Sequence, residues 1–137
     1  MNTGVKVVLW ILGIVGGLFL LMVGAGIYFG RSMVGEIDEG RRFAATATHT
    51  ECEGEFGKRV NDCDGMKCVL STAVFVGACL EGAKGDVKVY CADIPASTEK
   101  SFSAWSGEFC ARHNIGEKGK CEMAAGILSG ACGAAQK

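Results

Sequence analysis

The apolar positions of this chain fall into two patterns. Residues 7–29, VVLWILGIVGGLFLLMVGAGIYF, form 23 successive positions without a charge, flanked by Lys6 and Arg31. A helix crosses a bilayer with about 20 apolar residues, so this run predicts a membrane-spanning anchor. Beyond Arg31 the apolar residues come in shorter periodic groups separated by polar turns, as in amphipathic helices. Residues 65–81 form one such group behind Asp64, which reads as its N-cap. Phe102, Trp105 and Phe109 recur at i, i+3, i+7, the face of a helix that starts after Pro95-Ala96-Ser97 and ends at Asn114-Ile115-Gly116. Residues 118–130 supply a further helix. Asp38 and Arg42 stand at i, i+4 with no proline near, which predicts that the anchor runs on into the first helix of the following domain. Residues 86–93, DVKVYCAD, alternate like a short strand but stand alone, and read as a linker.

Sliding the sequence against itself by 53 positions places residues 54–84 over 107–137 without a gap, with 11 of 31 positions identical. The matches include Gly-Glu-Phe, an Arg, an Asn, Lys-Cys and Gly-Ala-Cys. A fixed internal period is the mark of a repeated supersecondary unit, here two helices and a turn. The expected fold is therefore all-α: a transmembrane helix followed by a disulfide-stapled four-helix domain built from two duplicated αα-hairpins. Residues 1–31 form a short tail and the anchor, 32–85 a stem and the first hairpin, 86–96 a linker, and 97–137 the second hairpin. Phe56, Phe75, Phe102, Trp105, Phe109 and Leu128 are the expected core between the hairpins.

The 8 cysteines, all at or after Cys52, sharpen this picture. Cys68 and Cys79 lie eleven residues apart in one expected helix, about 16 Å at helical rise. A disulfide needs Cα atoms about 4.4–6.8 Å apart, so these two require other partners. Cys52, Cys63, Cys68 and Cys79 are concentric about position 65.5. In an antiparallel hairpin turning at residues 62–65, positions equidistant from the turn face each other, which pairs Cys52 with Cys79 and Cys63 with Cys68. In the second hairpin Trp105 and Gly116 replace two cysteines, and nesting of those that remain pairs Cys110 with Cys121 and Cys91 with Cys132. Over residues 52–79 the arrangement resembles the twin Cx9C helical hairpins of the mitochondrial intermembrane space, with ten residues rather than nine between the cysteines of each arm. That resemblance implies nested disulfides joining two antiparallel helices, and no function.

Charge and cysteines bear on location in opposite senses. Arg31, Arg41 and Arg42 slightly outweigh Lys6, which by basic-residue count would leave the C-terminal side in the cytoplasm. A dense, even cysteine set in a small domain instead expects an oxidising compartment, and long domains translocate with little regard to flanking charge. We expect a single-pass protein with its C-terminal domain on the non-cytoplasmic side, periplasmic or extracellular, held by residues 7–29. A cleaved signal peptide ending near Val23-Gly24-Ala25 is the rival, but the apolar run continues to Phe29 without a polar break. Gly13, Gly17 and Gly24 share a helix face, and Gly13-xxx-Gly17 and Gly26-xxx-Gly30 have small-xxx-small spacing, a route to self-association, although glycine is common in membrane helices.

Candidate chemistry is sparse. With 14 basic and 15 acidic residues there is no basic footprint for nucleic acid. Cys110-x-x-His113 spaces two zinc ligands by one helical turn, but no Cys-x-x-Cys supplies the others. Cys63 and Cys68 are the closest pair for thiol redox work, yet Asp62 and Asp64 flank Cys63, and negative charge raises a thiol pKa. There is no Gly-x-Ser-x-Gly nucleophile motif and no phosphate loop. The acidic residues are scattered along helices, as on a solvated face. The reading is a non-catalytic structural or protein-interaction module without cofactor, metal or catalytic residues. A thiol-redox or metal-binding protein and a lipid-contacting domain are its alternatives.

Overall fold

The structure, a computed structural model, describes residues 3–137 and contains six helices and no strand among them. They are α1 Thr3–Ala44, α2 His49–Asp62, α3 Met66–Gly82, α4 Val87–Cys91, α5 Phe102–Arg112 and α6 Lys118–Ala135. The chain divides into two compact units, one ending at Val34 and the other spanning Gly35–Lys137, with the boundary inside α1.

In the first unit, α1 is exposed along its whole length, including Trp10, Phe19, Leu20, Leu21 and Met22. It is long and apolar enough to cross a membrane by length and composition. An apolar helix exposed all round fits lipid rather than water as its surroundings.

The second unit begins with the last turns of α1, which lie on α3. A Cβ at Gly40 would stand 2.6 Å from the Phe75 carbonyl oxygen and 2.9 Å from Ala78 Cβ, so only glycine allows this approach. The helix does not run on into α2. It stops at Ala44, and Thr48 opens α2 with a capping box in which its hydroxyl accepts from the Glu51 N–H while Glu51 accepts from the Thr48 N–H. That reciprocal cap satisfies two helix-end groups and favours a break over continuation. The expected Asp38–Arg42 pair is also absent. Arg59 instead draws in Glu36 and Glu39 from α1 and Glu55 from its own helix, with its guanidinium 3.9 Å from the centre of the Phe75 ring.

Helices α2 and α3 form an antiparallel hairpin through Cys63–Gly65. The N-cap of α3 is Gly65, at φ 88°, rather than Asp64, and it has no side-chain cap. The turn needs a left-handed residue there, which moves the cap one position on. Residues 86–93 are not strand-like: Asp86 caps the Lys88 N–H at 2.9 Å and starts the five-residue α4. With no neighbouring strand to pair with, helix is the local way to satisfy these backbone groups. α5 ends with Asn114 at φ 55° and the Ile115 N–H bonded to the Cys110 carbonyl at 2.9 Å, a Schellman-type stop that buries Ile115.

Phe56, Phe75, Phe109 and Leu128 are fully buried, together with Val60 and Val76. Phe102 and Trp105, expected in the same core, are half-buried on its margin. α6 packs against α3 and α5, which places the core between the two halves of the domain.

Candidate functional site

Every cysteine is paired. The bonds join Cys52 to Cys79, Cys63 to Cys68, Cys91 to Cys132 and Cys110 to Cys121, with Cα separations of 5.9, 5.4, 5.3 and 5.6 Å. Cys52–Cys79 and Cys91–Cys132 lie in the interior, where Cys52, Cys79 and Cys91 are wholly buried. Cys63–Cys68 closes the turn of the first hairpin, and the Lys120 ammonium donates to the Cys63 carbonyl at 2.6 Å. Cys110 and His113 do not converge on one site: the thiol is bonded to Cys121, and the imidazole turns to a carboxylate on α2. No group of three His, Cys, Asp or Glu side chains among the described residues is placed to hold a metal.

That carboxylate is Glu53, only 8% exposed. Its Oε1 accepts from His113 Nε2 at 2.8 Å and forms an ion pair with Arg112 Nη2 at 3.2 Å, and its Oε2 accepts the Tyr90 hydroxyl at 2.5 Å. A carboxylate only accepts, so His113 carries its proton on Nε2. Burial, then the hydrogen bond and charge of Glu53, push the Tyr90 phenol far above its ordinary value, so Tyr90 remains a neutral donor. Two hydrogen bonds and an ion pair on one carboxylate offset the cost of burying it. The cluster thereby ties α2 to α4 and to the C-terminal end of α5.

Each member is also held from behind. The His49 and Tyr90 rings stack at 5.5 Å, and Phe109 meets His113 at 4.8 Å. A Cβ at position 57 would stand 2.6 Å from His113 Cγ, so Gly57 makes the room for the imidazole. Around the cluster lies a groove of about 370 Å³, lined by Thr50, Val89, Asp93, Ile94 and Trp105 besides Glu53, Tyr90, Arg112 and His113. With its oxygens engaged by Tyr90, His113 and Arg112, Glu53 locks these elements together. A second, larger groove of about 680 Å³ lies between the 92–101 segment and α6 and shares Asp93, Ile94 and Trp105 with the first. There the Ser129 hydroxyl donates to the Pro95 carbonyl at 2.8 Å, holding the segment down.

The acidic residues are scattered along helices as on a solvated face, and nothing local in the sequence sets Glu53 apart from them. Its partners Tyr90 and His113 stand 37 and 60 positions away, and no local spacing connects them. The usable signal was the small residue at Gly57, one turn from Glu53 on α2. Compared with known proteins, the chain matches no family model, no curated protein and no solved structure.

Proposed function

We propose that this chain is a non-catalytic, membrane-anchored module whose disulfide-bonded helical domain sits on the non-cytoplasmic side and serves a structural or protein-interaction role. The observation that carries the reading is the complete pairing of the cysteines, with none left as a thiol, in a chain that also has an exposed apolar helix. Disulfides of this density persist in oxidising compartments. Residues 7–29 are the anchor, crossing the bilayer once.

Duplication of a hairpin is the origin we infer for the domain. The aligned pair Phe56 and Phe109 meet in the core with ring centres 6.5 Å apart, and the aligned Phe75 and Leu128 are both fully buried. Positions matched across the repeat thus hold matched places in the interior, which supports a common unit. Gly13, Gly17 and Gly24 meet no side chain within 4 Å and leave that face of the anchor open to a second copy; the protein partner of the domain is otherwise unidentified.

A reporter fused after Lys137 tests the placement. It should read as exported, and intact mass should not change on thiol alkylation without reductant. A cytoplasmic reporter with alkylated cysteines overturns both the location and the scaffold role.

A further inference from the structure

The groove beside Glu53 has walls that are fixed and charges that are not fully used. Trp105 is stacked on Phe109 at 5.5 Å and backed by Phe102 at 5.8 Å. Tyr90 is pinned by His49 and Glu53, and His113 by Glu53 and Phe109. Side chains locked by their neighbours form a site before any ligand arrives. Two lining groups are different. Asp93 is exposed and makes no hydrogen bond or ion pair with any described residue. The Arg112 side chain is 58% exposed and makes one ion pair, through Nη2 to Glu53, leaving further donors of its five unused. At about 370 Å³ the groove falls within the roughly 300–1,000 Å³ of small-ligand sites.

We propose that this groove binds a small zwitterion, with a methylated ammonium as its cationic end and a carboxylate or phosphate as its anionic end. Three rings, Tyr90, Trp105 and His113, line the groove together with the free Asp93 carboxylate. Aromatic side chains attract a poorly hydrated quaternary ammonium through their ring quadrupoles, and tryptophan does so best. Arg112 supplies a planar donor fork suited to an acidic oxygen pair. Val89 and Ile94 cover the methyl groups. Glycine betaine and phosphocholine carry both charges at this scale, and the same headgroup chemistry occurs free in solution and on a zwitterionic lipid. The inference goes beyond the scaffold reading and does not depend on export.

The test uses the full chain in maltoside micelles, in a Trp10→Phe background that leaves Trp105 as the one tryptophan of the 2. Phosphocholine should change Trp105 fluorescence in a saturable manner. Asp93→Asn removes no bond within the fold and should weaken binding of phosphocholine and of choline at least tenfold. Arg112→Gln should weaken phosphocholine at least tenfold and leave choline within a factor of two. Competition by phosphatidylcholine added to the micelles identifies the lipid headgroup as the source, and its absence identifies the free solute. No saturable change with phosphocholine, or equal affinity in the folded Asp93→Asn variant, overturns the proposal.

Discussion

Glu53 Oε1 and His113 Nε2 stand 2.8 Å apart across 60 positions of sequence, in the interior of the second unit. This bond, with the Tyr90 hydroxyl on the other oxygen, joins the first hairpin to α4 and to the end of α5. Glu53→Gln keeps the shape but removes the charge that strengthens all three contacts. The expected loss is about 1–3 kcal/mol, typical of a buried, charge-assisted hydrogen-bond site. Thermal and urea melts of the variant measure it, and hydrogen exchange in α4 should quicken. An unchanged melt with unchanged exchange would falsify the locking role.

Two glycines separate helix propensity from packing. A methyl added at Gly54 on α2 would meet nothing within 4 Å, so Gly54→Ala should stabilise by about 0.5–1 kcal/mol. Gly40→Ala makes the same local gain but drives its Cβ to 2.6 Å from the Phe75 carbonyl. It should lower the melting temperature and expose the Gly35–Ala44 stem to protease. A Gly40→Ala protein as stable as the Gly54→Ala one means the stem is not seated on α3.

Bond removal should follow loop length. By the loss of chain entropy on loop closure, the Cys63–Cys68 bond, spanning 5 positions, contributes about 2 kcal/mol. Cys91–Cys132 spans 41 and contributes about 4 kcal/mol on the same basis. Double serine variants should therefore melt in the order 91/132 lowest, then 52/79, then 110/121, with 63/68 nearest the parent. Calorimetry of the four variants reads the ranking. A 63/68 variant that melts lowest would require a role for the turn bond beyond loop closure.

Acid should loosen the start of α2 and the grip of Arg59. The Arg59 hydrogen bond holds the Glu39 carboxyl below its ordinary 4.5, and the Thr48 backbone and hydroxyl bonds do the same for Glu51. A folded-state value below the unfolded one contributes stability at pH above about 4.5, lost as pH falls through the folded value. Between pH 7 and pH 3 the melting temperature should drop, and a Glu39→Gln/Glu51→Gln protein should show a smaller drop. Parallel pH profiles for parent and variant would discount both contacts.

Much of this protein follows from local sequence. The 23-residue apolar run dictates a helix with no polar face, long and apolar enough to cross a membrane. The concentric spacing of Cys52, Cys63, Cys68 and Cys79 implies a hairpin, since antiparallel helices bring together residues equidistant from a turn. Of the expected core, Phe56, Phe75, Phe109 and Leu128 are buried, while Phe102 and Trp105, which share the helical period of Phe109, stay half-buried on its margin. Tertiary structure decided what periodicity does not encode. Residues 86–93 alternate like a strand, but no second strand is present among the described residues to take up their backbone bonds, so Asp86 caps a helix instead. Asp38 and Arg42 have helical spacing, yet Arg59 from another helix captures Glu36 and Glu39 while no Asp38–Arg42 pair forms. Above all, Glu53 looks like any solvated acid until α4 and α5 fold over it. Burial turns a surface carboxylate into an obligatory acceptor, and only the packed chain supplies the Tyr90 and His113 donors and the Arg112 charge that make that burial tolerable.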